Sequence, residues 1–137
     1  MANQIEKLIV EEGPRNAIVR IAAVLDTKDI TTEGVSFIKL SDFLNNDTRQ
    51  VLTGLRVDEV IYSLGQTIDV VLSWNGSVPQ LILPLARSGR VDAWSDGGFV
   101  PDKTRDGYDG SINIKTTGYP AGSIQNLTLL IRLIKLY

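Results

Sequence analysis

Carboxylates are the one abundant group of catalytic type in this chain: of 137 residues, 16 are Asp or Glu, and there is neither a His nor a Cys. A serine nucleophile has no histidine base here, no thiolate is available, and no Cys-based zinc site can form. No G-x-S-x-G elbow occurs, and the glycines at 97–98 and 118–122 fit neither a P-loop nor a dinucleotide fingerprint. Glycoside hydrolysis needs only two carboxylates, but no pattern selects a pair. The densest acidic stretch is Asp92, Asp96, Asp102, Asp106 and Asp109 on a Gly-rich segment, and calcium prefers oxygen ligands on such loops. In "DKTRDGYDG", Asp102, Thr104 and Asp106 follow the first EF-hand spacings only loosely. No glutamate closes the loop, and Lys103 and Arg105 dilute its charge. These aspartates read as Asx turns on a solvated loop. The expectation is a protein that is not an enzyme and has no catalytic residue, no metal and no cofactor.

Aromatic residues offer a second kind of chemistry, since exposed rings beside aspartates suit carbohydrate. Trp74 falls in register with core positions. Trp94, Phe99 and Tyr108 remain as candidate loop-binding residues, either a sugar platform or anchors of a protein interface.

The elements that must carry these residues are strands. Short β-branched runs separated by Gly, Asn, Asp and Pro mark an all-β domain. In "VDEVIYSLGQTIDVVLSW", Ile68, Val70, Leu72 and Trp74 alternate with Asp69, Val71 and Ser73, and Leu64 to Thr67 is expected to be a hairpin turn. Asn75-Gly76 predicts a type I′ turn into the returning strand "VPQLILPLA", which Pro79 and Pro84 place at a sheet edge. A short strand around Val91 to Trp94 precedes a long loop. Residues 41–54 are the best helix candidate, with Phe43, Leu44, Val51 and Leu52 on one side; a loop with one helical turn is the alternative. About eight strands predict a jelly-roll-like β-sandwich spanning residues 1–137 as one domain, with residues 1–12 as an N-terminal arm or edge strand.

The closing segment "SIQNLTLLIRLIKLY" puts Leu127, Leu129, Ile131 and Leu133 on one face. Its other face carries Leu130, Ile134 and Leu136, with Arg132 the single mark of solvent. A strand apolar on both sides predicts a second layer, either another subunit or a covering loop, and a helix remains open for this run. At the other end, Gly13-Pro14 fixes the angle between the first run and the strand that follows. An arm so placed gains stability by lying on its own sheet or on a neighbour's.

Composition sets the outer bounds. With 43% apolar residues, 22% charged residues and a net charge of −2, the chain should fold. It should bind neither nucleic acid nor membrane through overall charge. It has no signal-like N-terminus and no run of about 18 apolar residues, so it is expected to be soluble and made in a cytoplasm. The sequons at Asn46, Asn75 and Asn126 carry little weight on that reading.

Taken in order, "EEGPRNAIVRIAAVLDT", "LRVDEVIYSLGQTIDVVLSWN" with its return "LILPLA", "GRVDAW" and "TTGYPAGSIQNLTLLIRLIKLY" resemble a group of small tailed-bacteriophage virion proteins, capsid decoration or cement subunits. The resemblance implies a β-sandwich on the exterior of an icosahedral capsid, made in the bacterial cytoplasm and bound to the major capsid protein, as a homo-oligomer, namely a trimer. It implies Glu12, Pro14, Arg15 and Asn16 as capsid or subunit contacts, alongside Leu130, Arg132, Ile134 and Leu136 from the last strand. A head-completion, neck or tail component and a carbohydrate-binding β-sandwich module are the alternatives.

Overall fold

One-sided burial builds two antiparallel sheets whose apolar faces meet. The computed structural model describes residues 3–26, 28–30, 38–43, 51–120 and 122–137. The strands are β1 (Gln4–Glu12), β2 (Asn16–Leu25), β3 (Gly54–Leu64), β4 (Asp69–Trp74), β5 (Gln80–Ala86), β6 (Ser88–Asp92), β7 (Ile112–Thr117) and β8 (Gln125–Leu136). One sheet has the order β1-β2-β8-β3-β6 and the other β5-β4-β7, so the architecture is an all-β sandwich. No helix among the described residues is long and apolar enough to cross a membrane. From β2 the core receives Val19, Ile21 and Leu25, from β8 Leu127, Leu129, Ile131 and Leu133, and from the smaller sheet Val70, Leu72, Ile112 and Ile114.

The strands pair in a nested way. β2 lies beside β8, Ile38 bridges to Ile112 of β7, β3 lies beside β6, and β4 beside β5. The chain therefore crosses from sheet to sheet repeatedly. One crossing corrects the expected hairpin at Leu64 to Thr67, because β3 and β4 belong to different sheets. Each buries one face, and the two faces stack across the core instead of sharing a ladder. Another crossing occurs at Arg87, which holds φ +64° between β5 and β6 and whose carbonyl accepts from the Leu64 N–H at 2.7 Å.

β4 and β5 do form a hairpin, with β5 at the sheet edge as its prolines require. Its turn is not type I′: Trp74 pairs with Gln80, leaving a five-residue loop, and Gly76 is not at positive φ. The loop is instead tied outward, with the Asn75 N–H donating to Ser111 O at 2.9 Å and the Ser77 N–H to Asp106 O at 2.9 Å. Of the helix expected over 41–54, residues 44–50, including Leu44, lie outside the described residues. A single 3-10 turn, Leu40–Asp42, precedes them, with Phe43 and Leu52 in the core, Val51 exposed, and β3 starting at Gly54. The closing segment is strand from Gln125 to Leu136, with no helix.

Residues 4–12 are an edge strand of the chain's own sheet, paired with β2 across the whole of β1, with a bulge between Ile9 and Glu11. Gly13-Pro14-Arg15 is the turn of this hairpin, closed by the Gly13 N–H on Asn16 O at 2.8 Å. The end of β8 locks it. The Lys135 N–H donates to Arg15 O at 2.7 Å, the Tyr137 hydroxyl to Pro14 O at 2.9 Å, and Lys135 Nζ to Glu12 Oε2 at 2.7 Å. The Lys135 side chain is 0% exposed, so its ammonium depends on that carboxylate. Breaking one partner of a buried pair leaves a charge in a poor solvent, whereas replacing both with apolar groups is often neutral. Glu12→Leu should therefore lower unfolding free energy by about 3 kcal/mol. Adding Lys135→Met should restore most of the loss, read from urea midpoints of the two variants.

Candidate functional site

The aspartates of the Gly-rich segment are spent on holding it in place. Asp102 Oδ1 accepts from the Thr104 hydroxyl at 2.6 Å and the Thr104 N–H at 3.0 Å, while its own N–H donates to Gln80 Oε1 at 2.9 Å. Asp106 Oδ2 accepts from Ser77 Oγ at 3.2 Å. Asp109 accepts from Asn75 Nδ2 at 3.0 Å and the Ser111 N–H at 2.9 Å. Tyr108 donates its hydroxyl to Thr53 O at 2.9 Å, so the segment ties the start of β3 to the β4–β5 turn. Among the described residues no three Asp or Glu side chains are placed to hold a metal ion. The candidate loop residues are separated by the same packing. Phe99 makes a two-way backbone bridge with Val57 and packs on the core, Tyr108 is half-buried, and Trp94 is 62% exposed.

Trp94 stands instead over the outer face of the five-stranded sheet. A groove of about 490 Å3 opens there, lined by Glu11, Asn16, Ala17, Ile18, Asp58, Glu59, Trp94, Arg132 and Ile134. The register explains the gathering: Glu11, Ile18, Arg132, Glu59 and Asp92 lie in one row across five strands. Two adjacent acids share this wall because β3 bulges between Val57 and Glu59, which leaves Asp58 out of the ladder. Both are buried and both are engaged. Arg56 donates Nε and Nη2 to the two oxygens of Asp58 at 2.7 and 3.0 Å, and Arg90 donates Nη2 to Glu59 Oε2 at 2.7 Å. These hydrogen bonds raise the pKa of each guanidinium. The carboxylates thus serve as structural acceptors.

The groove unites Asn16, Arg132 and Ile134 with Trp94, residues expected at separate sites. Leu130 lies farther along the same face, and Leu136 is half-buried beside Gly54, where the Tyr108 hydroxyl closes in. Glu12 faces the opposite way, in the pair with Lys135, and Pro14 and Arg15 are exposed in the hairpin turn. Glu11, Asp58 and Glu59 escape a reading based on alternation alone. The signal for two of them is the Asp-Glu pair inside "RVDEVI", since strict alternation would turn one of two successive acids into the core.

Compared with protein-family models, with curated proteins and with solved structures, the chain matches none.

Asp102 and Asp109 titrate below the ordinary aspartate value of 3.8. For Asp102 the cause is first the Thr104 hydroxyl and then its N–H. For Asp109, burial pushes upward, and the bonds from Ser111 and Asn75 outweigh it. A lowered folded-state pKa contributes stability that is fully present above the unfolded value and is lost as pH falls through the folded one. Segment 100–111 should therefore loosen as pH drops below about 3.8, with hydrogen exchange at Ser77 and Ser111 accelerating before that of β8.

Proposed function

We propose that the chain is a structural virion protein that binds and stabilises the outer surface of a phage capsid, assembling as a trimer on the major capsid protein. The observation that carries this reading is the open outer face of the five-stranded sheet. Leu8, Arg20, Leu130, Ile61 and Arg90 form one row across all five strands. Leu8 is 52% and Ile61 41% exposed, and Leu130 is half-buried between them. Apolar residues flanked by arginines are the make-up of a protein interface, in which large apolar side chains and Arg carry most of the binding energy.

Two further observations support it. The nested pairings, β2 with β8, Ile38 with β7, β3 with β6 and β4 with β5, are those of a single antiparallel ribbon rolled on itself. That arrangement supports a jelly-roll reading, a scheme common among viral capsid proteins. The sequence also resembles phage decoration proteins along most of its length.

Light scattering of the purified protein should give about three times the chain mass of 15.0 kDa, and the protein should co-sediment with expanded empty heads of the phage that encodes it. Leu130→Asp should abolish both while leaving the far-UV spectrum unchanged, since that side chain points away from the core. A wild-type protein that stays at 15.0 kDa and ignores such heads would sink the reading.

A further inference from the structure

Trp94 is the largest exposed apolar side chain on the outer face, and its exposure is built in. Its 3-10 turn, Trp94–Asp96, is clamped to the bulge of β3: the Ala93 N–H donates to Asp58 O at 2.8 Å, and the Gly98 N–H returns to Ala93 O at 2.8 Å. Gly98 sits at φ +73°, where a Cβ would meet Asp58 Oδ1 at 2.5 Å and Arg56 Cγ at 2.8 Å. The turn therefore packs directly on the Arg56–Asp58 pair, which fixes at the groove the backbone that carries the indole. A ligand that stacks on the indole has no backbone ordering to overcome there.

The groove's charge selects the ligand. Asp58 and Glu59 are each matched by a guanidinium, from Arg56 and Arg90. Of the remaining charged groups lining the groove, Glu11 and Arg132 are of opposite sign, and neither forms an ion pair among the described residues. No net charge is left to draw a cation or an anion. What remains is an acceptor at Glu11, a second oxygen on Glu59, donors on Arg132, and an apolar floor at Ile18 and Ile134. A volume of about 490 Å3 lies within the usual range of small-ligand sites.

We propose that this groove binds a neutral saccharide, with one sugar ring stacked on the Trp94 indole and its hydroxyls bonded to Glu11, Glu59 and Arg132. Hydroxyls both donate and accept, so a polyhydroxy ring suits a wall of alternating carboxylate and guanidinium. The C–H face of such a ring suits the indole. This inference goes beyond the capsid reading and does not depend on it.

The test is a glycan array of neutral and acidic oligosaccharides, followed by titration of its best neutral ligand, read by shielding of tryptophan fluorescence from acrylamide. Trp74 is buried in the core, so the quenchable signal comes from Trp94. Binding is expected to a neutral oligosaccharide, and Trp94→Ala and Arg132→Ala should each weaken it at least tenfold with the melting temperature unchanged. Both side chains are exposed, so neither variant should fail to fold. Arg-rich and Asp-rich peptides serve as charged competitors. No binding on the array, binding untouched by Trp94→Ala, or a Trp94-dependent preference for a charged peptide would each overturn the proposal.

Discussion

The inner face of β8 has to be kept from water, and the five-stranded sheet is arranged around that constraint, with β8 at its centre. Its inner residues Leu127, Leu129, Ile131 and Leu133 are essentially fully buried, and its two edges carry the long ladders to β2 and β3. A strand so placed satisfies its backbone on both sides and half-shelters Leu130 and Ile134 beneath neighbouring rows. The remaining strands of that sheet are consequences. β1 extends it beyond β2, β6 extends it beyond β3, and neither shares a ladder with β8.

Charge is distributed to match. The larger sheet holds three carboxylate–cation contacts, each with one buried partner: Lys135 with Glu12, Asp58 with Arg56 and Glu59 with Arg90. Each lies where the regular ladder ends or slips: at the β1–β2 turn, at the bulge of β3, and where β6 gives way to the Trp94 turn. Such pairs add little to net stability, because desolvation offsets attraction, but they make any other register costly, since a slipped strand would bury its charge alone. Asp58 and Glu59 of these pairs also line the groove, so part of the geometry of the outer face follows from the devices that fix the register.

Much of this was legible in the sequence. Alternation in 68–74 and in 127–133 placed the buried faces, and Pro79 and Pro84 placed β5 at an edge. The crossing after Leu64 was not legible, because two consecutive half-buried strands show the same alternation whether they pair side by side or stack face to face. The groove was hidden for a related reason. Asn16, Arg132 and Trp94 meet only through strand order, and strand order is set by pairings between residues far apart in the chain. The aspartates of 102–109 were legible as turn formers, while their partners Gln80, Ser77 and Asn75 were not.

The order of the ladders also governs how this sheet comes into being. β2 and β3 both flank β8 and do not touch each other; Leu25 pairs with Gln125, and Gly54 with Leu136. As the chain leaves the ribosome, the strands on either side of the central slot are made long before the strand that fills it. Until then each shows an unpaired edge, and the apolar faces of both lie open to other chains. Pairings this distant along the chain also close slowly. The centre of the sheet is therefore the last part to form, and the half-made protein is at its most adhesive just before β8 arrives.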